Sequence, residues 1–224
     1  MIEHLERYFD HALLYPDVDR IGIDRLCREA IEYDLFGIAI NPYWVRAART
    51  ELSGSKVKII SVAGFPLSAS RTDIKVAEAV AGVEDGADEI DMVANVGLLR
   101  MGEYSQVERE IREIRRSLPD HIPLKVIIEA PKLPPEIQIE ATKTVINGGA
   151  RFVKTATGFF GGASPEMVRR LAETAAGKIK VKASGGIRNL ADTLALIEAG
   201  AERIGSSASV TIMNEYRAIL STSP

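Results

Sequence analysis

Cysteine is almost absent: Cys27 is the only one in 224 residues. No intramolecular disulfide can form, and no cysteine cluster can hold a metal. The three histidines, His4, His11 and His121, are scattered and do not fall at zinc-like spacing. No apolar run approaches the roughly 18 residues of a membrane span. Positive charge is not in excess: 28 Lys and Arg against 31 Asp and Glu give a net charge of −3. That balance favours neither nucleic acid nor a membrane surface as partner. The opening Met1-Ile2-Glu3-His4-Leu5-Glu6 has no basic stretch and no long apolar core, so a signal peptide is not expected. The expectation is a soluble, cytoplasmic protein without a metal site.

What is present is an ordinary globular composition, 46% apolar and 26% charged. No Pro/Gly/Ser-rich linker and no shift of composition divides the chain, so one domain over residues 1–224 is expected. Short apolar runs alternate with stretches of helical spacing. The runs begin near Phe9, Phe36, Val57, Glu89, Leu124, Phe152, Ile179 and Arg203. A short lead-in helix is predicted over residues 1–9, and helices over 22–34, 43–52, 71–85, 103–117 and 134–147. Three more are predicted from Ser164-Pro165, from Asn189 and over 208–220. Ser164 and Asn189 are good N-caps, and proline suits a first helical position. The apolar runs do not alternate with polar residues, as befits parallel strands buried on both faces. Eight strand–helix units of this length fit a closed α/β barrel, the single-domain (β/α)8 TIM barrel. An open doubly wound sheet is the alternative, but no Gly-rich dinucleotide fingerprint follows the first strand.

Active sites of such barrels lie at the C-terminal ends of the strands. The polar residues there are Asp10, Asn41, Asp91, Glu129, Lys154 and Lys182, while the charges on the helices read as solvated faces. A lysine ending a buried strand is costly unless it is paired or neutralised, and a neutral lysine attacks carbonyl carbon. Lys154 and Lys182 end neighbouring strands, so the charge of one is expected to lower the pKa of the other. Asp10 and Asp91 are placed to hold the charged lysine and move protons. The alternative is a lysine–aspartate network that only plugs the barrel. Glu129 and Lys125 are expected to pair, and His11 either to hydrogen-bond near Asp10 or to pack. Ser184-Gly185-Gly186 and Gly205-Ser206-Ser207 follow the last two strands, where barrels often bind phosphate. Plain turn glycine is the other reading of those loops.

Several segments together resemble the deoxyribose-phosphate aldolase family of class I aldolases. They are Asp10-His11-Ala12-Leu13-Leu14, Phe65-Pro66-Leu67, Gly86 through Val93, Leu124 through Glu129, Phe152 through Gly158, and Val181 through Arg188. The resemblance covers nearly the whole chain. It implies reversible cleavage of 2-deoxy-D-ribose 5-phosphate to D-glyceraldehyde 3-phosphate and acetaldehyde, with no metal and no organic cofactor. Lys154 would be the Schiff-base lysine, Lys182 the lysine that depresses its pKa, and Asp10 and Asp91 members of a proton relay with Lys182. The substrate phosphate would be held by Gly158, Gly185, Gly186, Gly205 and Ser207. Ala12, Ala39, Ala130 and Ala208 stand where the family commonly has threonine, cysteine, threonine and serine. Two other readings are a related Schiff-base aldolase for another sugar phosphate, and a barrel that binds phosphate without catalysis. A homo-oligomer, dimer or tetramer, is expected, with the helix bearing Tyr43 and Trp44 as one possible face.

Overall fold

Strands buried on both faces need apolar residues at nearly every position, and the eight runs supply them. They form β1 (Phe9–Leu13), β2 (Gly37–Ile40), β3 (Lys58–Ala63), β4 (Glu89–Val93), β5 (Leu124–Ile127), β6 (Phe152–Lys154), β7 (Lys180–Ser184) and β8 (Arg203–Ser206). All neighbours are parallel, and β8 pairs back to β1, so the sheet closes in chain order. Around it lie α1 (Arg20–Glu32), α2 (Val45–Glu51), α3 (Thr72–Glu84), α4 (Val96–Arg100), α5 (Tyr104–Ser117), α6 (Pro135–Asn147), α7 (Pro165–Ala175), α8 (Leu190–Glu198) and α9 (Ser209–Thr222). The computed structural model describes residues 2–222; Met1, Ser223 and Pro224, the ends of the expected 1–224 domain, lie outside them. No helix among the described residues is long and apolar enough to cross a membrane.

Two predicted caps are formed. The Ser164 hydroxyl accepts from Met167 N at 3.2 Å and the Asn189 side chain from Asp192 N at 2.8 Å, each satisfying an orphan donor at a helix start. Four local differences stand out. The lead-in is only one 3-10 turn, Leu5–Tyr8, because the buried Phe9 already belongs to β1. The helix predicted from residue 43 begins as a 3-10 turn, Pro42–Trp44, and becomes α-helical at Val45. The fifth strand stops at Ile127 rather than at residue 129, since Glu129 takes a left-handed φ of 49°. The short α4, capped by Asn95, is too brief to show helical periodicity.

Register carries the site. In parallel pairing, opposed residues point to the same side of the sheet. Lys154 lies opposite Lys182, Lys182 opposite Arg203, Asp91 opposite Lys125, and Asp10 opposite Gly205. The pleat therefore aims a set of charges from β1, β4, β5, β6, β7 and β8 into one barrel interior.

Not every helix charge is solvated. Lys75 of α3 and Glu110 of α5 are buried as a pair at 2.8 Å, which corrects the expectation for those two residues.

Candidate active site

Seven charged side chains interlock inside the barrel. Asp91 is the hub. Its Oδ1 accepts from Lys125 Nζ at 2.6 Å, and its Oδ2 accepts from both Lys154 Nζ and Lys182 Nζ at 2.8 Å. Lys182 also donates to Asp10 Oδ2 at 2.5 Å. Asp10 Oδ1 accepts from Arg203 at 2.9 Å, and Glu89 lies 2.6 Å from Lys125 and 3.5 Å from Arg203. Lys154, Lys182, Asp10 and Asp91 are thus brought into one cluster. Glu89, Lys125 and Arg203 complete it, and their signal was legible: each is a charged residue inside an apolar strand.

The partners are unequally shared. Lys125 has two carboxylates, Asp91 and Glu89, and Lys182 has two, Asp10 and Asp91. Among the described residues Lys154 has only Asp91, through an oxygen that Lys182 also uses. Four cations face three carboxylates, so neutral charge in the barrel requires one cation to give up its proton. Burial pushes Lys154 down, Asp91 opposes, and Lys182 and then Lys125 add to the depression, leaving a pKa of about 8. Lys182 is one of the causes of the depression, but burial is the larger one. Lys125 is shifted the other way, because Asp91 and Glu89 outweigh its burial. Burial alone would raise Asp10, but Lys182, Arg203 and Lys125 together bring it down to about 2. Asp91 is likewise held well below the usual carboxylate range, its burial overcome by Lys125, Lys154 and Lys182.

A cavity of about 400 Å³ opens at the C-terminal mouth of the barrel, directly above this cluster. Lys154 and Lys182 form part of its lining, whereas Asp10 and Asp91 are fully buried beneath them and do not line it. Gly158, Gly185, Gly186, Gly205 and Ser207 all line it. Gly158, Gly185 and Gly186 have φ of 91°, 94° and 75°, a region that favours glycine. Gly205 is needed for a different reason, since a Cβ there would sit 3.2 Å from Lys182 Cε and 3.0 Å from Ser184 Cβ. Arg188, quoted within a motif but given no role from sequence, also lines the cavity. So do Ala12 and Ala39, two of the positions that depart from the family pattern, while Ala130 and Ala208 do not.

The loops are held by hydrogen bonds that sequence alone did not reveal. Glu129 does not pair with Lys125. Its carboxylate accepts from the Thr157 hydroxyl at 2.6 Å and lies 3.2 Å from Thr157 N, fixing the start of the β6–α7 loop. Burial raises its pKa against the pull of Thr157. Thr155 joins the tips of β6 and β7, donating to Ser184 O and accepting from Ser184 N, both at 3.0 Å. His11 does not approach Asp10 by a hydrogen bond; its Nε2 lies 2.9 Å from Glu29 of α1. Asn41 braces the β1–α1 loop, donating to Leu14 O at 3.3 Å. The first turn of α8 is already occupied by Asn189 and by Glu215, which accepts from Leu190 N at 2.7 Å. That leaves α9, which starts two residues after Ser207, as the helix start beside the cavity. Among the described residues, no group of three or more His, Cys, Asp or Glu side chains could hold a metal ion.

A closed parallel barrel with a buried, incompletely paired lysine at the floor of its mouth defines a class of protein, the Schiff-base aldolases built on (β/α)8 barrels. Comparison with known proteins narrows that class. No family model matches the chain. The chain is 44% identical over 211 residues to the deoxyribose-phosphate aldolase of Streptococcus equi subsp. zooepidemicus, covering 94% of this chain and 96% of the relative. It is 45% identical over 217 residues to that of Aciduliprofundum boonei, covering 96% and 98%. Among solved structures, the aldolase QR15 superposes with a TM-score of 0.94 at 39% identity, covering 99% of this chain and 100% of that one. The tetrameric deoxyribose phosphate aldolase of Aeropyrum pernix gives 0.88 at 32% identity, covering 95% and 90%. The chain belongs to the deoxyribose-phosphate aldolase family.

Proposed function

We propose that the chain, acting as one domain over residues 1–224, reversibly cleaves 2-deoxy-D-ribose 5-phosphate to D-glyceraldehyde 3-phosphate and acetaldehyde. The observation that carries this reading is the position of Lys154: an amine with a single shared carboxylate, a pKa of about 8, and access to the cavity. At pH 7 such an amine is roughly one-tenth neutral, against about three parts in ten thousand for an ordinary lysine. The depression is worth more than a hundredfold in the nucleophilic form.

Neutral Lys154 attacks C1 of the open-chain aldehyde, and loss of water leaves an iminium. The iminium accepts the electron pair of the C2–C3 bond as that bond breaks, while the C3 hydroxyl gives its proton to the relay and becomes the carbonyl of glyceraldehyde 3-phosphate. An enamine of acetaldehyde remains on Lys154. The relay returns a proton to the enamine carbon, and water releases acetaldehyde. Only Lys182 of the relay reaches the cavity, so it makes the exchange with substrate, while Asp10 and Asp91 hold it from below. Gly158, Gly185, Gly186, Gly205 and Ser207 receive the phosphate, with the first turn of α9 adding backbone donors. A homo-oligomer accords with the tetrameric Aeropyrum pernix relative and with Tyr43, which is 83% exposed and stacks edge-on against Trp44.

The test is direct turnover. Purified protein given deoxyribose 5-phosphate should release acetaldehyde in proportion to glyceraldehyde 3-phosphate. No release from this sugar, with release from another sugar phosphate, would redirect the assignment to a related aldolase.

A further inference from the structure

Three aromatic rings from three different loops meet at the cavity mouth. Tyr15 comes from the β1–α1 loop, Phe159 from the β6–α7 loop and Phe65 from the β3–α3 loop. The Phe159 ring lies 5.9 Å from Tyr15 at 53° and 5.6 Å from Phe65 at 84°. Tilted and edge-on ring pairs of this kind attract beyond the area they bury, because the positive edge of one ring meets the negative face of the other. Tyr15 and Phe159 line the cavity, and Phe65 does not.

The two loops that meet at the Phe65–Phe159 contact differ in how they are held. The β6–α7 loop is fixed at its ends. Thr157 is bound by Glu129, and Ala163 N donates to Gly185 O at 3.1 Å. Between them, Gly158 and Gly161 take positive φ and Phe159 stands 41% exposed. Its N–H reaches back to the Thr157 hydroxyl at 3.2 Å, and the two neighbouring rings are its aromatic contacts.

The β3–α3 loop is tied from within. Gly64 N donates to Glu78 at 2.7 Å, and Ser68 N to Gly64 O at 2.7 Å. The Ser68 hydroxyl shares its proton between Val93 O at 2.8 Å and Ala94 O at 2.6 Å. Lys75 Nζ donates to Ser68 Oγ at 2.8 Å, to Val93 O at 3.0 Å and to Glu110 at 2.8 Å. A buried ion pair is a poor source of stability, but a fully satisfied one allows few alternative geometries. Phe65 is therefore presented from a rigid base, against the middle of a loop that is tied at its two ends.

We propose that Phe65 is a positioning residue for substrate binding. It never touches the substrate; it holds Phe159, and with it the adjacent Gly158, at the spacing the phosphate end of the sugar requires. This rests on the sugar-phosphate reading above.

Steady-state kinetics on deoxyribose 5-phosphate and on unphosphorylated deoxyribose test it, with the parent, Phe65→Ala, Phe65→Tyr, Phe159→Ala and the double variant Phe65→Ala/Phe159→Ala. Phe65→Ala should raise KM for the phosphorylated sugar about fivefold or more while kcat falls less than about twofold, a split that mere loss of folded protein does not produce. The unphosphorylated sugar should show little change in KM. Phe65→Tyr should restore the parental KM. The double variant should be no worse than Phe159→Ala alone, because the two act as one unit. Effects that multiply in the double variant, an unchanged KM in Phe65→Ala, or equal impairment in Phe65→Tyr would overturn the proposal. If Phe65→Ala does not fold, Phe65→Leu goes through the same cycle under the same criteria. A parent that cleaves the sugar phosphate while the cycle is additive sinks only this inference; a parent without turnover sinks the functional reading with it.

Discussion

A lysine amine taken out of water loses hydration that one shared carboxylate oxygen does not replace. Lys154 is in that position, while Lys125 and Lys182 each have two carboxylates. Replacing it with Met should abolish cleavage and also stabilise the fold. The folded pKa is about 8 against 10.5 unfolded, so between those values the unfolded chain binds the extra proton and stability rises with pH. The penalty is therefore complete below pH 8 and gone above 10.5. Lys154→Met should gain up to about 3 kcal/mol at pH 7, and the gain should fade across that window, as urea melts at several pH values would show. An unaltered melt at pH 7 would mean that Lys154 is not strained in the folded state. Lys182→Met should slow the chemistry by a different route, through the pKa of Lys154. With Lys182 gone, Lys154 no longer shares Asp91 Oδ2 and loses a neighbouring positive charge, so the acid limb of the pH–rate profile should move to higher pH and the rate at pH 7 fall at least about tenfold. Rate and profile equal to the parent's would end the pKa-lowering role. The lysine pair and its two aspartates were legible because charged residues at the ends of apolar strands stand out. The rank of causes was not, since burial and the sharing of Asp91 appear only when Lys125, Glu89 and Arg203 are placed.

At the scale of elements, what the chain spells out locally was legible and what it borrows from afar was not. The start of α7 follows from Ser164-Pro165 and that of α8 from Asn189, because caps act within one turn. Glu129 was misread as a partner of Lys125 because its left-handed φ turns it out of the strand alternation and toward Thr157, 28 residues away. Glu129→Ala removes that anchor from the β6–α7 loop. KM for the sugar phosphate should rise several-fold with a smaller change in kcat, and Glu129→Gln, which keeps an acceptor for Thr157, should lie between it and the parent. Indistinguishable kinetics for all three would show that the loop needs no such tie. The Lys75–Glu110 pair hid in plain sight, since α3 and α5 carry so many exposed charges that two buried ones do not break the pattern. Either partner alone replaced by an apolar residue should cost about 3–5 kcal/mol, whereas Lys75→Met/Glu110→Leu together should fold with near-parental stability. Additive losses measured by denaturant melts would contradict that.

For the whole molecule, barrel closure was legible from eight apolar runs alternating with helices, because each βαβ unit imposes the same connection and eight of them close. The interior that closure creates holds a charge network in place of an apolar plug, and this has a consequence in acid. Asp10, at about 2, and Asp91 are both depressed below the unfolded value of 3.8. Each contributes stability that is present above that value and lost as the pH falls through the folded pKa. Stability should therefore drop steeply below about pH 4, and Asp10→Asn, which carries no such charge, should flatten the drop. The most direct test of the account lies at Lys154 itself. Acetaldehyde with borohydride, followed by peptide mass spectrometry, should place an ethyl group on Lys154, lose the label in Lys154→Met, and leave Lys125 and Lys182 unmodified. A label on Lys182 instead, or no label on any lysine, would contradict the account.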